Sequence, residues 1–124
     1  MKVSGAMSKN VEYVTVDTTV RDVFRLIFGR GIKGIPVCKG KKVIGFVAER
    51  DILDNLFPVM QESLKDSARP NGFEKTEERI SKFFALNVEK IMSKNPKVIT
   101  ADASLLKAQS VMFVEKVSIL PVVD

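Results

Sequence analysis

The spacing of apolar residues changes within the first third of the chain. A short run rich in β-branched residues, at 11–16, favours a strand. The apolar residues that follow have the spacing of one helix face: Val20, Val23, Phe24, Ile27 and Phe28. Thr19, with Asp22 three residues later, is typical of a helix start, and we expect Gly29 and Gly31 to end this helix.

A hairpin and a second helix follow. The segment 34–38 predicts a strand with Pro36 near its start, 39–42 predicts a turn, and 43–47 predicts the returning strand. A helix begins near Glu49, and we expect Pro58 to disturb it after its apolar residues: Ile52, Leu53, Leu56 and Phe57. The unit is strand, helix, strand, strand, helix, and its first crossover should be parallel and right-handed.

The tetrapeptide MSKN occurs twice and marks a tandem duplication. A shift of 85 residues takes Met7–Asn10 onto Met92–Asn95 without a gap. The same shift superimposes Val3 on Val88, Thr15 on Thr100, Asp17 on Asp102, Phe28 on Phe113 and Pro36–Val37 on Pro121–Val122. We therefore divide the chain into copy one (1–54), an insertion (55–87) and copy two (88–124).

Copy two and the insertion show helical spacing as well. In copy two, a strand at 97–101 precedes a helix start at Ser104 and a second stripe expected in the core: Leu105, Ala108, Met112 and Phe113. In the insertion, a turn at Arg69–Gly72 precedes a predicted helix at 73–86. Its apolar residues favour packing on the core or on a neighbouring subunit over ligand binding; they are Ile80, Phe83 and Phe84.

The composition argues against catalysis. Of 124 residues, 45% are hydrophobic and 28% are charged, which is typical of a soluble globular protein. The chain has no histidine and one cysteine, Cys38, so the commonest general base and metal ligand is absent and no internal disulfide is possible. We expect a protein that is not an enzyme, with no metal, no membrane segment and, since no secretory signal is visible, a cytoplasmic location.

The net charge of +5 has its excess in residues 1–54. This excess suits an anionic small ligand, but it is also what a solvated surface shows. Nucleic-acid binding centred on the hairpin lysines, Lys39, Lys41 and Lys42, is an alternative. The chain has a single tyrosine and no tryptophan, and its phenylalanines fall in stripes expected in the core. No aromatic surface is then left on which bases could stack, so we regard nucleic-acid binding as the weaker interpretation.

The two copies resemble the cystathionine β-synthase (CBS) domain family, whose members occur as tandem pairs called Bateman modules. The matching segments are Ala6–Met7, Thr15-x-Asp17, 31–37 and 43–53 in copy one, with Ile91–Met92, Thr100-x-Asp102 and 117–124 in copy two. The resemblance implies an α/β (α+β) fold of two βαββα units about a pseudo-two-fold axis, with the helical insertion between them. It covers the chain outside that insertion.

The resemblance also implies a regulatory module that binds an adenine nucleotide or a related adenosyl compound, such as AMP, ADP, ATP or S-adenosylmethionine, and needs no other cofactor. By family position Asp51 would accept the ribose hydroxyls, and the start of its helix would face phosphate. Ala48 stands where the family has Ser or Thr, so phosphate binding would depend on backbone N–H groups and on Arg50. For Asp51 the alternative is a carboxylate that only satisfies the helix dipole, and we favour ribose binding; Arg50 is equally suited to a solvated helix surface.

The remaining candidate positions follow from the same resemblance. In copy one they are Asn10, Val11, Val14, Thr15, Gly34, Ile35 and Pro36, and in copy two they are Thr100, Leu120 and Pro121. Copy two lacks counterparts of 40–54, so we expect either a longer natural chain, which we favour, or a partner subunit over the exposed edge. We also expect a homodimer and a regulated protein or domain beyond Asp124. A purely structural dimerisation unit with vestigial sites is an alternative to the ligand-binding function.

Overall fold

Copy one and the insertion form three helices and a hairpin. The computed structural model describes residues 1–66, 68–70 and 72–124. In it α1 is Val20–Arg30, β1 is Gly34–Lys39, β2 is Lys42–Ala48, α2 is Glu49–Asp66 and α3 is Gly72–Ala85. The predicted insertion helix is confirmed, whereas Asn71 of the predicted turn at Arg69–Gly72 lies outside the described residues.

Copy two is shorter. It contains β3 (Ser93–Lys94), β4 (Ile99–Thr100), α4 (Leu105–Glu115) and β5 (Val122–Val123). A single 3₁₀ turn stands at the same point of each copy, at Val3–Gly5 and at Val88–Lys90, which agrees with the 85-residue register. The duplication is therefore visible in the backbone as well as in the sequence.

The predicted starts of both repeated helices are confirmed by side-chain caps. Thr19 Oγ1 accepts a hydrogen bond from the N–H of Asp22 at 3.3 Å, and Ser104 Oγ accepts one from the N–H of Lys107 at 3.1 Å. Gly31 ends α1 in the left-handed region with φ 68°, while Gly29 remains inside the helix. Local sequence signals thus set these helix bounds.

The three-stranded sheet combines both copies. β1 and β2 are antiparallel, from Gly34 opposite Ala48 to Lys39 opposite Lys42, as predicted for the hairpin. β3 joins the other edge of β2, with Ser93 opposite Phe46. The strand order is β1-β2-β3, so copy two supplies one strand of the sheet built by copy one.

The predicted strand at 11–16 is wrong in extent. Only Val14 pairs, in parallel with Val37, by donating to the Pro36 carbonyl at 3.0 Å and accepting from the Cys38 N–H at 2.8 Å. Val11 and Tyr13 are exposed, whereas Val14 is 7% exposed and Val16 packs partly buried against the core. The strand predicted at 97–101 likewise shortens to β4, which pairs in parallel with β5.

The effect expected of Pro58 is also wrong. α2 continues beyond the proline to Asp66. The proline removes one backbone donor, at a cost of about 3 kcal/mol in a helix interior. Ile52, Leu56 and Val59 pack in or against the core around this point, and α2 lies along α3, so tertiary packing offsets the lost hydrogen bond.

The core belongs mainly to copy one and the insertion. Side chains from α1, the hairpin and α2 are fully buried together, and Phe83 of α3 joins them at 5% exposure. The expectation that the apolar stripe of α4 would be core is wrong, because no residue of α4 is buried and Phe113 is 84% exposed. α2 and α3 pack on α1, whereas copy two as far as Asp124 contains no counterpart of α2.

Candidate ligand-binding clefts

An open groove of about 950 Å³ lies between the two copies. Copy one contributes chiefly the segments Met7–Tyr13 and Ile32–Gly34 with Pro36 and Cys38. Copy two contributes Ser118–Asp124 and three residues of the α4 stripe that was expected in the core: Leu105, Ala108 and Met112. Its volume is in the range of small-molecule sites, which run to roughly 1,000 Å³. The groove is therefore large enough for a nucleotide.

Six of the predicted site residues line this groove. They are Asn10, Val11, Gly34, Pro36, Leu120 and Pro121. Asn10 adopts φ 58°, and its counterpart Asn95 adopts φ 52°, both in the left-handed region that asparagine tolerates better than most residues. The asparagine of MSKN thus serves a tight change of chain direction in each copy.

Gly34 lies where copy one packs tightly against Phe46 and against Ile119 of copy two. A Cβ at this position would lie 2.6 Å from the Phe46 ring and 3.2 Å from Cδ1 of Ile119. Contacts under 3.0 Å are not tolerated without a shift, so any other residue here would displace the Phe46 ring. The lack of a side chain at Gly34 lets the strand of copy one lie close to the loop of copy two.

Asp51 lies in a different place, at the start of α2. Its Oδ2 accepts a hydrogen bond from the Ala48 N–H at 2.7 Å, and its Oδ1 accepts a long one from Ser93 Oγ at 3.5 Å. Asp51 is half-buried and faces β3 of copy two, and it does not line the groove that holds Asn10. It occupies a second contact region between the copies.

The two regions meet at the start of α2. The Glu49 N–H donates to the Lys33 carbonyl at 3.3 Å, and Lys33 lines the groove. Arg50 points to solvent, with its side chain 88% exposed and paired with Asp54 at 3.3 Å. An exposed ion pair of this kind contributes little to the free energy of folding, and its charged groups exchange readily with other partners.

Four further predicted residues lie outside the groove lining. Val14 and Ile35 are 7% and 0% exposed, so their side chains face the core. Thr15 Oγ1 donates to the Asp17 carboxylate, and this hydrogen bond lowers the pKa of Asp17. A hydrogen bond from Thr100 lowers the pKa of Asp102 in the same way, helped by Lys2 and Lys107. Each threonine stabilises the turn that precedes its helix.

Several groove residues were not predicted, among them Tyr13, Lys33, Ser118 and Ile119. The 85-residue register contained the signal for Ile119, because Ile119 is the counterpart of the predicted Gly34. Tyr13 had no such signal. The chain folds so that equivalent segments of the two copies face each other, which sequence order alone does not show.

Residues 1–66, 68–70 and 72–124 were searched for a metal site and for a membrane-spanning helix. Within these ranges no group of three or more His, Cys, Asp or Glu side chains has a geometry suitable for a metal ion. Over the same part of the chain, none of the helices combines the length and apolar character needed to cross a membrane.

The CBS domain family matches residues 3–58 and 88–124. The chain therefore belongs to the CBS domain family, and its two matched segments form a tandem pair, as the resemblance implied. The α+β fold that it implied is confirmed too.

Relatives in sequence are longer proteins. An uncharacterized protein of Methanocaldococcus jannaschii, MJ0188, is 31% identical over 126 residues, which is 100% of this chain and 37% of that protein. The carnitine transport ATP-binding protein OpuCA of Listeria monocytogenes is 37% identical over 62 residues, covering 49% of this chain and 16% of its own length. The chain thus spans a minor part of each of these relatives.

Solved structures share the fold over almost the whole chain. CBSX2 in complex with AMP is 25% identical with a TM-score of 0.72, covering 99% of this chain and 83% of its own. MJ1225 of Methanocaldococcus jannaschii is 18% identical with a TM-score of 0.77, covering 99% of this chain and 41% of its own. At 18% identity the second similarity supports the fold alone.

Proposed function

We propose that this chain is a regulatory module that binds an adenine nucleotide or a related adenosyl compound between its two copies and does not itself catalyse a reaction. The observation that carries the proposal is the groove of about 950 Å³ whose walls come from both copies. The AMP complex of CBSX2, at 25% identity over 99% of this chain, supports the ligand class. We also propose a cytoplasmic location.

The groove has walls suited to a base and to phosphate. Val11, Pro36 and Leu120 provide apolar surface against which a planar ring packs. Lys9 and Lys33 line the same groove and bring positive charge for an anionic group. We infer that the base binds between the apolar walls and that the phosphate is held by these lysines.

The second region is the alternative site for the same ligand, and there Asp51 would hold the ribose. Its Oδ2 is held by the Ala48 N–H at 2.7 Å, whereas its Oδ1 makes only the 3.5 Å contact with Ser93. A ribose hydroxyl would replace Ser93 at Oδ1 and leave the bond to Ala48 intact. Arg50 would leave its exposed pair with Asp54 to reach a phosphate.

Regulation follows if the ligand binds one arrangement of the copies more tightly than another. A compound seated between the walls contacts both copies, so it would stabilise the arrangement in which the walls are closest. A protein or domain attached to or bound by the module would respond to that change. The identity of that protein stays open.

The test is a panel of AMP, ADP, ATP, S-adenosylmethionine and GTP, followed by thermal unfolding and calorimetry. At a ligand concentration of 100 times Kd, binding stabilises the folded state by about 2.7 kcal/mol, so a rise in Tm is expected for at least one adenine compound. Lys33→Ala and Asp51→Asn test the groove and the second region separately. Lys82→Ala, on exposed α3, is the matched control for charge.

Failure of every adenine compound to shift the Tm or release heat at millimolar concentration would overturn the proposal. If GTP matched ATP, the site would recognise phosphate and not adenine. Loss of binding in Asp51→Asn with binding kept in Lys33→Ala would assign the ligand to the second region.

A further inference from the structure

A glutamate on the wall of the groove is held by an ion pair. Glu12 lines the groove within the copy-one segment Met7–Tyr13. Its Oε1 accepts a hydrogen bond from the guanidinium of Arg30, the last residue of α1, at 2.7 Å. The Glu12 side chain is 47% exposed, so its carboxylate remains accessible to a molecule in the groove.

The backbone around Glu12 is fixed on both sides. Two residues later, Val14 donates to the Pro36 carbonyl at 3.0 Å and accepts from the Cys38 N–H at 2.8 Å. Two residues earlier, Asn10 turns the chain with φ 58°. The ion pair then orients a side chain whose backbone is already placed. Little conformational entropy is therefore lost when this carboxylate binds a ligand.

Copy two contains the same ion pair with its charges reversed. The 85-residue register places Lys97 on Glu12 and Glu115 on Arg30. Lys97 Nζ lies 3.9 Å from Glu115 Oε1, and both of these side chains are partly exposed, as they are in copy one. In each copy the pair joins the segment that follows MSKN to the last residue of the helix. An ion pair of either polarity therefore serves this structural purpose.

The polarity of the copy-one pair decides which charge lies in the groove. Glu12 lines the groove, whereas Arg30 does not. An ionised carboxylate only accepts hydrogen bonds, so it suits hydroxyl groups and repels phosphate. Arg30 supplies the compensating positive charge at 2.7 Å, so the pair as a whole does not oppose the binding of an anionic nucleotide.

We propose that Glu12 accepts hydrogen bonds from the ribose hydroxyls of a nucleotide in the groove and makes the groove selective for ribonucleotides over deoxyribonucleotides. The inference rests on the proposed function, and it provides the groove with a ribose acceptor, since Asp51 lies outside it. Oε1 keeps its bond to Arg30, and the lone pairs of Oε2 accept from the ribose. Hydrogen bonds to a charged acceptor are about twice as strong as neutral ones.

Asp124 is the other carboxylate among the described residues that line the groove. Within residues 1–66, 68–70 and 72–124, ion pairs orient Glu12 but not Asp124. A side chain without such a contact loses more conformational freedom when it binds a ligand. We therefore assign the ribose to Glu12.

Calorimetry with AMP, 2′-deoxy-AMP and 3′-deoxy-AMP tests the inference. The wild-type protein should bind each deoxy compound about tenfold more weakly than AMP, as the loss of one hydrogen bond to a charged group predicts. Glu12→Gln should bring this ratio close to one, because an amide oxygen is a neutral acceptor. Glu78→Gln, at an exposed glutamate paired with Lys82 on α3, is the matched control and should keep the ratio.

A charge swap separates ligand binding from structure. The double variant Glu12→Lys with Arg30→Glu gives copy one the polarity of copy two. Its free energy of unfolding in urea should match the wild type, because copy two folds with this arrangement, while the ratio between AMP and the deoxy compounds should be lost. If Glu12 were purely structural, Glu12→Gln would lower stability, the swap would restore it, and both variants would keep the ratio.

The outcomes also separate this inference from the proposed function. Equal affinity of the wild-type protein for AMP and for both deoxy compounds would overturn the inference and leave the proposed function standing. So would a ratio that is kept in Glu12→Gln and lost in Asp51→Asn or Asp124→Asn, since that result would assign the ribose elsewhere. If no adenine compound bound, the proposed function would fall, and this inference with it.

Discussion

The Asp51 carboxylate accepts a hydrogen bond from the backbone N–H of Ala48, 2.7 Å away, across the start of α2. Ala48 immediately precedes the helix and Asp51 lies in its first turn, so this contact is the acidic half of a capping box. The hydroxyl half is missing because Ala48 has no side-chain oxygen. Asp51 therefore has a structural role before any ligand binds.

We expect Asp51→Ala to lower the free energy of unfolding by about 1 kcal/mol, because the helix loses a cap. Asp51→Asn keeps an acceptor oxygen for the Ala48 N–H and should lose less. Urea unfolding without nucleotide measures both. Equal destabilisation by Asp51→Asn and Asp51→Ala would contradict the capping role, and Asp54→Ala controls for the loss of an exposed carboxylate on the same helix.

Ala48→Ser should complete the capping box. A serine hydroxyl at this position accepts from an N–H of the first turn, so the free energy of unfolding should rise by about 1 kcal/mol. If Asp51 and the start of α2 bind a nucleotide, the same hydroxyl should also tighten binding. Chemical unfolding and calorimetry separate the two effects, and a loss of stability would show that the side chain at 48 has no room to reach the helix.

Gly45→Ala should destabilise the contact between β2 and copy two. A Cβ at Gly45 would overlap Sδ of Met92 and lie 3.0 Å from its Cγ. Overpacking of this kind costs about 1–3 kcal/mol. Gly29→Ala is the control, because a Cβ there meets nothing within 4 Å and alanine favours a helix by about 0.5–1 kcal/mol. Unfolding midpoints should move in opposite directions for the two variants.

Thr15→Val should raise the pKa of Asp17 towards its ordinary value of 3.8, since the hydrogen bond from Thr15 is the main cause of the lowered pKa. A carboxyl whose pKa is lowered by folding adds stability above that ordinary value, and the stability is lost as the pH falls through the folded pKa. Carboxyl titration by NMR measures this. Asp102 is the internal control, and a shift of both residues would refute a local cause.

Features set by local chemistry were predictable from the sequence. Thr19 and Ser104 cap their helices, and the hairpin between Gly34 and Ala48 has the expected strands. Features set by a tertiary partner were not. Pro58 lies inside a helix because packing outweighs one lost hydrogen bond, and Phe113 is exposed because its face of α4 is uncovered.

In the candidate site, too, the residue types were predictable from the sequence and their placement relative to one another was not. The resemblance grouped Asn10, Gly34 and Asp51 into one slot, whereas the fold places Asp51 against Ser93 and the other two in the groove. The residues of copy one that face copy two are set by the pairing of β2 with β3. That pairing is a contact between residues far apart in sequence. The pattern of apolar residues contains no direct signal for it.

The pairing of β2 with β3 has a consequence for folding. Copy one alone would leave the edge of β2 at Phe46 without its third strand, and a second molecule would have to supply it. On one chain, α2 and α3 connect the two strands, so the encounter is intramolecular. Tethering of this kind produces effective concentrations up to the millimolar range, which a free fragment would rarely reach. Joining the copies thus makes strand pairing independent of how much protein is present.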